Sequence, residues 1–235
     1  MIRPGGLPSR YELKAPLGSG AFGRVYLAHD KELKIDVAIK ISPFGGKLNL
    51  SGDEIRRRAK REILASGRIS HPNIVKIYDA DIIEDYAYIV MEVITGGTLE
   101  ELIEKGPVAP TRALAMIGQL ADALEHLHSL NIIHRDIKSA NILILPSMQA
   151  KLMDFNLVRV TDETAMTATG SLVGTPIYIA PEVFEGMPAT SSSDIYALGV
   201  VLWSMLTGRR PFDECKDFGQ VVQAKLKEGL PPPSK

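Results

Sequence analysis

The chain has 235 residues, 45% hydrophobic and 23% charged, which gives enough apolar material for a well-buried core. Its formal net charge of -1 implies neither nucleic acid nor an anionic membrane surface as a partner. The single cysteine, Cys215, excludes an internal disulfide. The N-terminal start lacks the apolar stretch of a signal peptide, and the longest apolar run, around Ala197 to Leu206, falls short of the roughly 20 residues a membrane helix needs. A cytoplasmic protein is expected, with any membrane tether lying outside these residues.

From Tyr11 to Ile41 the pattern is strand-like. Val25 and Leu27, then Val37 and Ile39, alternate with other residues, and glycines or charged turns separate the runs, as in an antiparallel meander. From Asp53 to Ile69 a charged stretch carries Ile55, Ala59, Ile63 and Leu64 at helical spacing and stops before His71-Pro72, because proline disfavours helix at the residue before it. Two more strands are expected at Ile74 to Tyr78 and Tyr86 to Glu92, and Gly96-Gly97 then breaks the pattern. Beyond it the period turns helical, with Leu114, Ile117, Leu120, Ala121, Leu124 and Leu127 on one face of a long helix. The chain thus divides near Ile94 to Gly97 into a small sheet-rich part, 1–93, and a larger helical part, 94–235. Thr161 to Ser171 is the one locally biased stretch.

Leu17 precedes Gly18-Ser19-Gly20-Ala21-Phe22-Gly23, a Gly-x-Gly-x-x-Gly pattern that is a weak signal alone. A dinucleotide-binding version should open a helix, but Arg24-Val25-Tyr26-Leu27 continues as strand, so the loop joins two strands and reads as a flap over phosphates. Glycine lets the backbone approach phosphate oxygens and present N–H donors, since no Cβ intervenes. Lys40, in Val37-Ala38-Ile39-Lys40, would set a positive charge against the α- and β-phosphates, with Glu62 on the helix as its ionic anchor. Read singly, Lys40 is an ordinary strand-edge lysine and Glu62 a solvated helix position.

His134-Arg135-Asp136-Ile137-Lys138-Ser139-Ala140-Asn141 is the most specific segment, and through it the chain resembles the protein kinase family over nearly its whole length. Taken singly, His134, Asp136 and Asp154 are equally a core histidine and turn carboxylates. Together they recur in order with the glycine loop, Lys40, Met153-Asp154-Phe155 and Ala180-Pro181-Glu182.

The resemblance implies an α+β bilobal fold, with a small antiparallel-sheet N-lobe carrying one helix and a larger helical C-lobe. It also implies ATP and magnesium as cofactors and protein Ser/Thr hydroxyls as acceptors in signal transduction. Asp136 would accept or orient the hydroxyl proton, Lys138 would face the transferring phosphoryl group as in the serine/threonine branch, and Asn141 and Asp154 would hold magnesium. Met91 would be the gatekeeper, Glu92 and Ile94 would offer backbone contacts to adenine, and Val25, Ala38 and Leu143 would sandwich its ring, a role compatible with plain core packing. Gly174-Thr175-Pro176-Ile177-Tyr178 resembles the platform that receives the substrate peptide, which disfavours a small-molecule kinase. Asp194 resembles a buried aspartate that ties the catalytic loop to the helical core. The short loops resemble the bacterial branch of the family.

Three features depart from the family pattern. The magnesium motif reads Asp154-Phe155-Asn156 in place of a terminal glycine, though asparagine tolerates left-handed backbone. Ser66 stands where a bulky apolar residue is usual. The chain stops at Pro231-Pro232-Pro233-Ser234-Lys235, where kinase domains continue through two more helices with an arginine for the Ala-Pro-Glu glutamate, so Glu182 is expected to lack that partner. These departures leave a nucleotide-binding pseudokinase scaffold as the alternative. Arg58, Arg135 and Arg159 occupy positions that in related kinases converge on a loop phosphate. Thr167 and Thr169 are therefore expected to be activating phosphorylation sites, with self-association as a route to autophosphorylation.

Overall fold

The computed structural model describes residues 7–20, 23–43, 69–83, 86–154, 176–215 and 218–233. Their contacts divide the chain into two compact units. One takes residues up to Ser70 together with Val75–Ile94; the other takes His71–Ile74 and residues from Thr95 on.

The first unit is an antiparallel sheet of β1 (Tyr11–Gly20), β2 (Gly23–Asp30), β3 (Ile35–Pro43), β4 (Ile77–Ile83) and β5 (Tyr86–Glu92), in the order β1-β2-β3-β5-β4. Period-two alternation builds its core, since successive side chains point to opposite faces. Ala28, Val37, Ile39, Ile41, Tyr88 and Val90 are buried together with Tyr11 on one face. Pro16 is confined to edge strand β1, beside a register shift, where no sheet hydrogen bond is lost. Asp30 closes β2. Its Oδ1 accepts the N–H groups of Glu32 (2.9 Å) and Leu33 (3.1 Å), and the Arg10 guanidinium, 2.6 Å from Oδ2, holds the carboxyl below the usual carboxylate range.

The second strand pair differs from the sequence expectation. Tyr86 to Glu92 is β5 as read, but its partner β4 starts at Ile77 and runs to Ile83, while Ile74 makes only an isolated parallel bridge to Leu152. The acidic Asp79 and Asp81 hid this strand. The helix read at Asp53 to Ile69 lies outside the described residues, apart from Ile69 itself, which is buried.

The second unit contains α1 (Leu99–Ile103), α2 (Pro110–Ser129), α3 (Pro181–Phe184), α4 (Ser191–Thr207) and α5 (Phe218–Glu228), with a small sheet of β6 (Gly97–Thr98), β7 (Ile142–Ile144) and β8 (Ala150–Leu152). Thr98 with Glu101 and Thr190 with Ser193 form capping boxes that satisfy the first N–H groups of α1 and α4. Helix α4 ends at Gly208, whose φ of 68° and 2.6 Å distance from a notional Cβ to the Pro107 nitrogen admit only glycine. On α2 the buried face is Ala113, Met116, Leu120, Ala123, Leu124 and Leu127. The expected face was turned too far, because Leu114 is 61% exposed and Ile117 and Ala121 only half-buried. The small Ala113 and Ala123 are fully buried on that face, and periodicity of large residues alone does not register them. Among the described residues no helix is long and apolar enough to cross a membrane.

Candidate active site

In the sheet unit, register defines a second face. Val25 lies opposite Lys40, Ala38 opposite Met91, and Lys40 opposite Ile89, so Val25, Ala38, Lys40 and Met91 share the side away from the buried cluster. Gly18 pairs with Val25, and Gly20 with Gly23, at the closed end of the β1–β2 hairpin, with Ser19 between them and Leu17 exposed. Gly23 is needed by the sheet as well as by any ligand. Its φ is 130°, and a Cβ there would lie 2.2 Å from the Ile41 carbonyl oxygen. The Glu92 N–H donates to the Lys76 carbonyl at 2.9 Å, and Ile94 follows the strand half-buried. Ala21, Phe22 and Glu62 lie outside the described residues.

In the helical unit, the segment from His134 to Asn141 is held from below by Asp194 on α4. The Asp194 carboxylate, 2% exposed, accepts the N–H of His134 (2.9 Å) and of Arg135 (2.9 Å) and lies 2.8 Å from His128 Nε2. Those bonds force the turn: Arg135 adopts φ of 66°, a conformation a non-glycine residue holds only when its surroundings over-determine it. The turn then presents Asp136. Lys138 Nζ donates to Asp136 Oδ2 at 2.8 Å, and Asn141 Nδ2 donates to the same oxygen at 2.8 Å and to the Asp136 carbonyl at 2.8 Å.

Asp154 enters from β8. The Met153 N–H donates to the Asn141 carbonyl at 2.9 Å, and His134 Nε2 lies 3.1 Å from the Met153 carbonyl, so the residue before Asp154 is fixed to both ends of the loop. Asp154 itself has φ of 60°. His134 is neutral by geometry: Nε2 must donate to Met153, whereas Nδ1 must accept the Asp136 N–H at 3.3 Å. Its full burial pushes the imidazole below its ordinary range, against the opposing pull of Asp194 and Asp136.

Asp136, Lys138, Asn141 and Asp154 are thus brought to one place, while Leu143, two residues beyond Asn141, is half-buried in β7. The oxygens of Asp136, Asn141 and Asp154 suit magnesium, which uses one or two carboxylates and completes its shell with phosphate oxygens and water. Among the described residues no group of three or more His, Cys, Asp or Glu side chains is placed to hold a metal ion.

Sequence reasoning missed three residues. His128 supports Asp194 from the last turn of α2, Ser139 Oγ lies 2.8 Å from Tyr178 Oη, and Ser193 Oγ donates to Glu182 Oε1 at 2.7 Å. Glu182, for which no arginine was expected, accepts instead from this serine of the α4 capping box. Phe155, Asn156, Arg159, Thr167, Thr169, Thr175, Arg58 and Ser66 lie outside the described residues.

Residues 11–231 match the family model of the protein kinase domain, and the chain belongs to that family. It is 43% identical over 208 residues to the serine/threonine-protein kinase PrkC of Bacillus subtilis, covering 88% of this chain and 32% of that protein. It is 38% identical over 234 residues to a probable serine/threonine-protein kinase PknB of Corynebacterium glutamicum (96% and 36%), and 36% identical over 240 residues to PknB of Mycobacterium tuberculosis (99% and 38%). The chain spans about a third of the length of these relatives.

Proposed function

We infer that this chain is the catalytic domain of a bacterial serine/threonine protein kinase, transferring the γ-phosphoryl group of ATP to protein Ser or Thr hydroxyls. The observation that carries the reading is the Asp136 carboxylate, held at 2.8 Å by both Lys138 and Asn141 in a loop pinned through Asp194.

In the step this geometry supports, the acceptor hydroxyl oxygen bonds to the γ-phosphorus as the bond from that phosphorus to the β,γ-bridging oxygen breaks. ADP departs and the hydroxyl proton passes to Asp136. Phosphoryl transfer asks mainly for positioning and for cations near the spreading charge. Lys138 places an ammonium beside the carboxylate, where the phosphoryl group would arrive, and Lys40 would supply a second positive charge from the face of the sheet it shares with Val25, Ala38 and Met91. Asn141 commits its amide nitrogen to Asp136, and its Oδ1 with the Asp154 carboxylate would hold magnesium, which neutralises phosphate charge when bound. Val25, Ala38, Met91 and Leu143 offer apolar surface to adenine. Phosphate on Thr167 or Thr169 would raise activity, reached by one copy acting on another, and ATP supply places the reaction in the cytoplasm.

Incubation with radiolabelled ATP, magnesium and a generic basic protein tests the reading. The unaltered chain should label serine or threonine, and Asp136→Asn should not. Equal labelling by both would overturn it. A scaffold role has no observation in its favour: the proton acceptor and oxygen donors are all retained.

A further inference from the structure

Lys225 is a charged residue that the proposed chemistry leaves without a task, yet it is 3% exposed. It projects from α5, and its Nζ donates to three backbone carbonyls of one short segment: Pro176 at 3.0 Å, Ile177 at 2.7 Å and Ile179 at 2.6 Å. An ammonium has three protons, and here each has an acceptor. The rings of Phe184 on α3 and Tyr196 on α4 flank it, with centroids 5.5 Å and 4.9 Å from Nζ, replacing lost hydration with π-faces. Burial pushes the Lys225 amine down to about 7, against the opposing pull of the more distant Glu182 carboxylate, while the three carbonyl acceptors call for the protonated form.

That match has a direction. Pro176–Tyr178 is a single 3-10 turn, in which the Pro176 carbonyl accepts the Ile179 N–H at 3.3 Å, and a turn this short leaves the carbonyls that follow without partners inside the helix. Lys225 collects them at one point and so fixes the turn from outside. Tyr178, between the clamped carbonyls, is buried, and its hydroxyl meets Ser139 Oγ at 2.8 Å. Ser139, itself 2% exposed, stands between Lys138 and Asn141. A continuous line of bonds therefore runs from α5 through the turn to the loop that carries Asp136.

We propose that Lys225 is a positioning residue for phosphotransfer, its ammonium fixing Pro176–Ile179 and, through Tyr178 and Ser139, the seat of the acceptor polypeptide beside Asp136. This rests on the kinase reading for its functional consequence, but the mechanical part stands without it. Buried carbonyls left without a donor cost stability and lose their geometry, whereas a guanidinium at the same place keeps the charge and several donors.

The test compares Lys225→Met, Lys225→Arg and Tyr178→Phe in the full chain. With a generic basic protein as acceptor, Lys225→Met should lower kcat/KM for that acceptor at least tenfold and leave KM for ATP within twofold. Lys225→Arg should recover at least a third of the unaltered value. In the same proteins without substrate, amide hydrogen exchange should quicken at least fivefold in 177–180 and 139–141 for Lys225→Met. Adding Tyr178→Phe should speed residues 139–141 no further, since both changes cut the same line. Should no variant or parent phosphorylate anything, the kinase reading fails while exchange still decides the clamp. Unchanged exchange at 139–141 in Lys225→Met overturns the proposal, as does an equal rise of KM for ATP and acceptor, which would mark general loosening.

Discussion

The side-chain amide of Asn141 bridges two oxygens of Asp136, the backbone carbonyl and carboxylate Oδ2, each at 2.8 Å. One side chain thus orients the carboxylate from two points. Asn141→Asp would put a second carboxylate against the first, where like charges cannot share a proton-poor site. Turnover at saturating ATP and magnesium should fall at least a hundredfold, about 2.7 kcal/mol of barrier. Asn141→Ala, which removes the amide without adding charge, should lose a similar amount. Unchanged turnover in both variants would show that the amide bridge does not orient Asp136.

Asp194 offers a stability measurement. Its carboxylate takes two backbone N–H groups and faces His128, so Asp194→Ala leaves buried donors with no acceptor. Urea unfolding should show a loss of about 2–4 kcal/mol, at roughly 1–3 kcal/mol per unsatisfied group. Asp194→Asn, which keeps one oxygen, should lose less. A loss under 1 kcal/mol in Asp194→Ala would mean that the loop holds its own turn.

The imidazole of His134 gives a pH test with a definite sign. Burial lowers its proton affinity in the folded chain, and the bonds to Met153 and Asp136 require the neutral ring. Between that lowered value and the ordinary 6.5 or so of an unfolded histidine, the unfolded chain binds a proton that the folded chain refuses. Folding stability from this group is therefore complete above about pH 6.5 and is lost on acidification below it, at up to about 1.4 kcal/mol per pH unit. Ring nitrogen chemical shifts at pH 6 should show the Nε2–H tautomer at His134. An imidazolium there at that pH would contradict the geometry.

Phosphorylation of Thr167 or Thr169 should appear by peptide mapping after incubation with ATP, and Thr169→Ala should lower the rate severalfold. A phosphothreonine brings a charge of about -1.5 to -2 and strong acceptor oxygens to whatever arginines surround it. An unmodified segment together with full activity of the double alanine variant would remove this mode of regulation.

The legibility of these features in the sequence follows the range of the forces involved. Tyr86 to Glu92 could be read because its alternation is a local consequence of one buried face, and Asp136 with Asn141 because their spacing lies within one loop. Ile77–Ile83 could not be read whole, because Asp79 is tolerated there through Tyr11, whose hydroxyl donates to Asp79 at 2.6 Å from 68 residues away. Lys225 belongs to the same class. In the sequence it is one of several lysines on an amphipathic helix, and nothing local marks the carbonyls near position 177 that bury it. The glycine of position 23 was legible as a glycine, but half its reason, the carbonyl of Ile41, lies on the next strand.

The assignment of His71–Ile74 to the helical unit, between stretches of chain that belong to the sheet, bears on how the protein can be dissected. Asn73 sits buried there, its Nδ2 donating to the Ala150 carbonyl at 2.8 Å and to Gln119 Oε1 at 3.0 Å, while the Leu152 N–H returns to the Asn73 carbonyl at 2.8 Å. The polypeptide therefore leaves the sheet unit after Ser70, returns to it at Val75 and leaves it again after Ile94. A nick near Ile94 would leave His71–Ile74 covalently on the sheet fragment although the hydrogen bonds of Asn73 are made within the helical unit. A sheet fragment expressed alone would carry four residues shaped for an absent host, and exchange of sheet halves between related enzymes will succeed only if those four residues travel with the helical part.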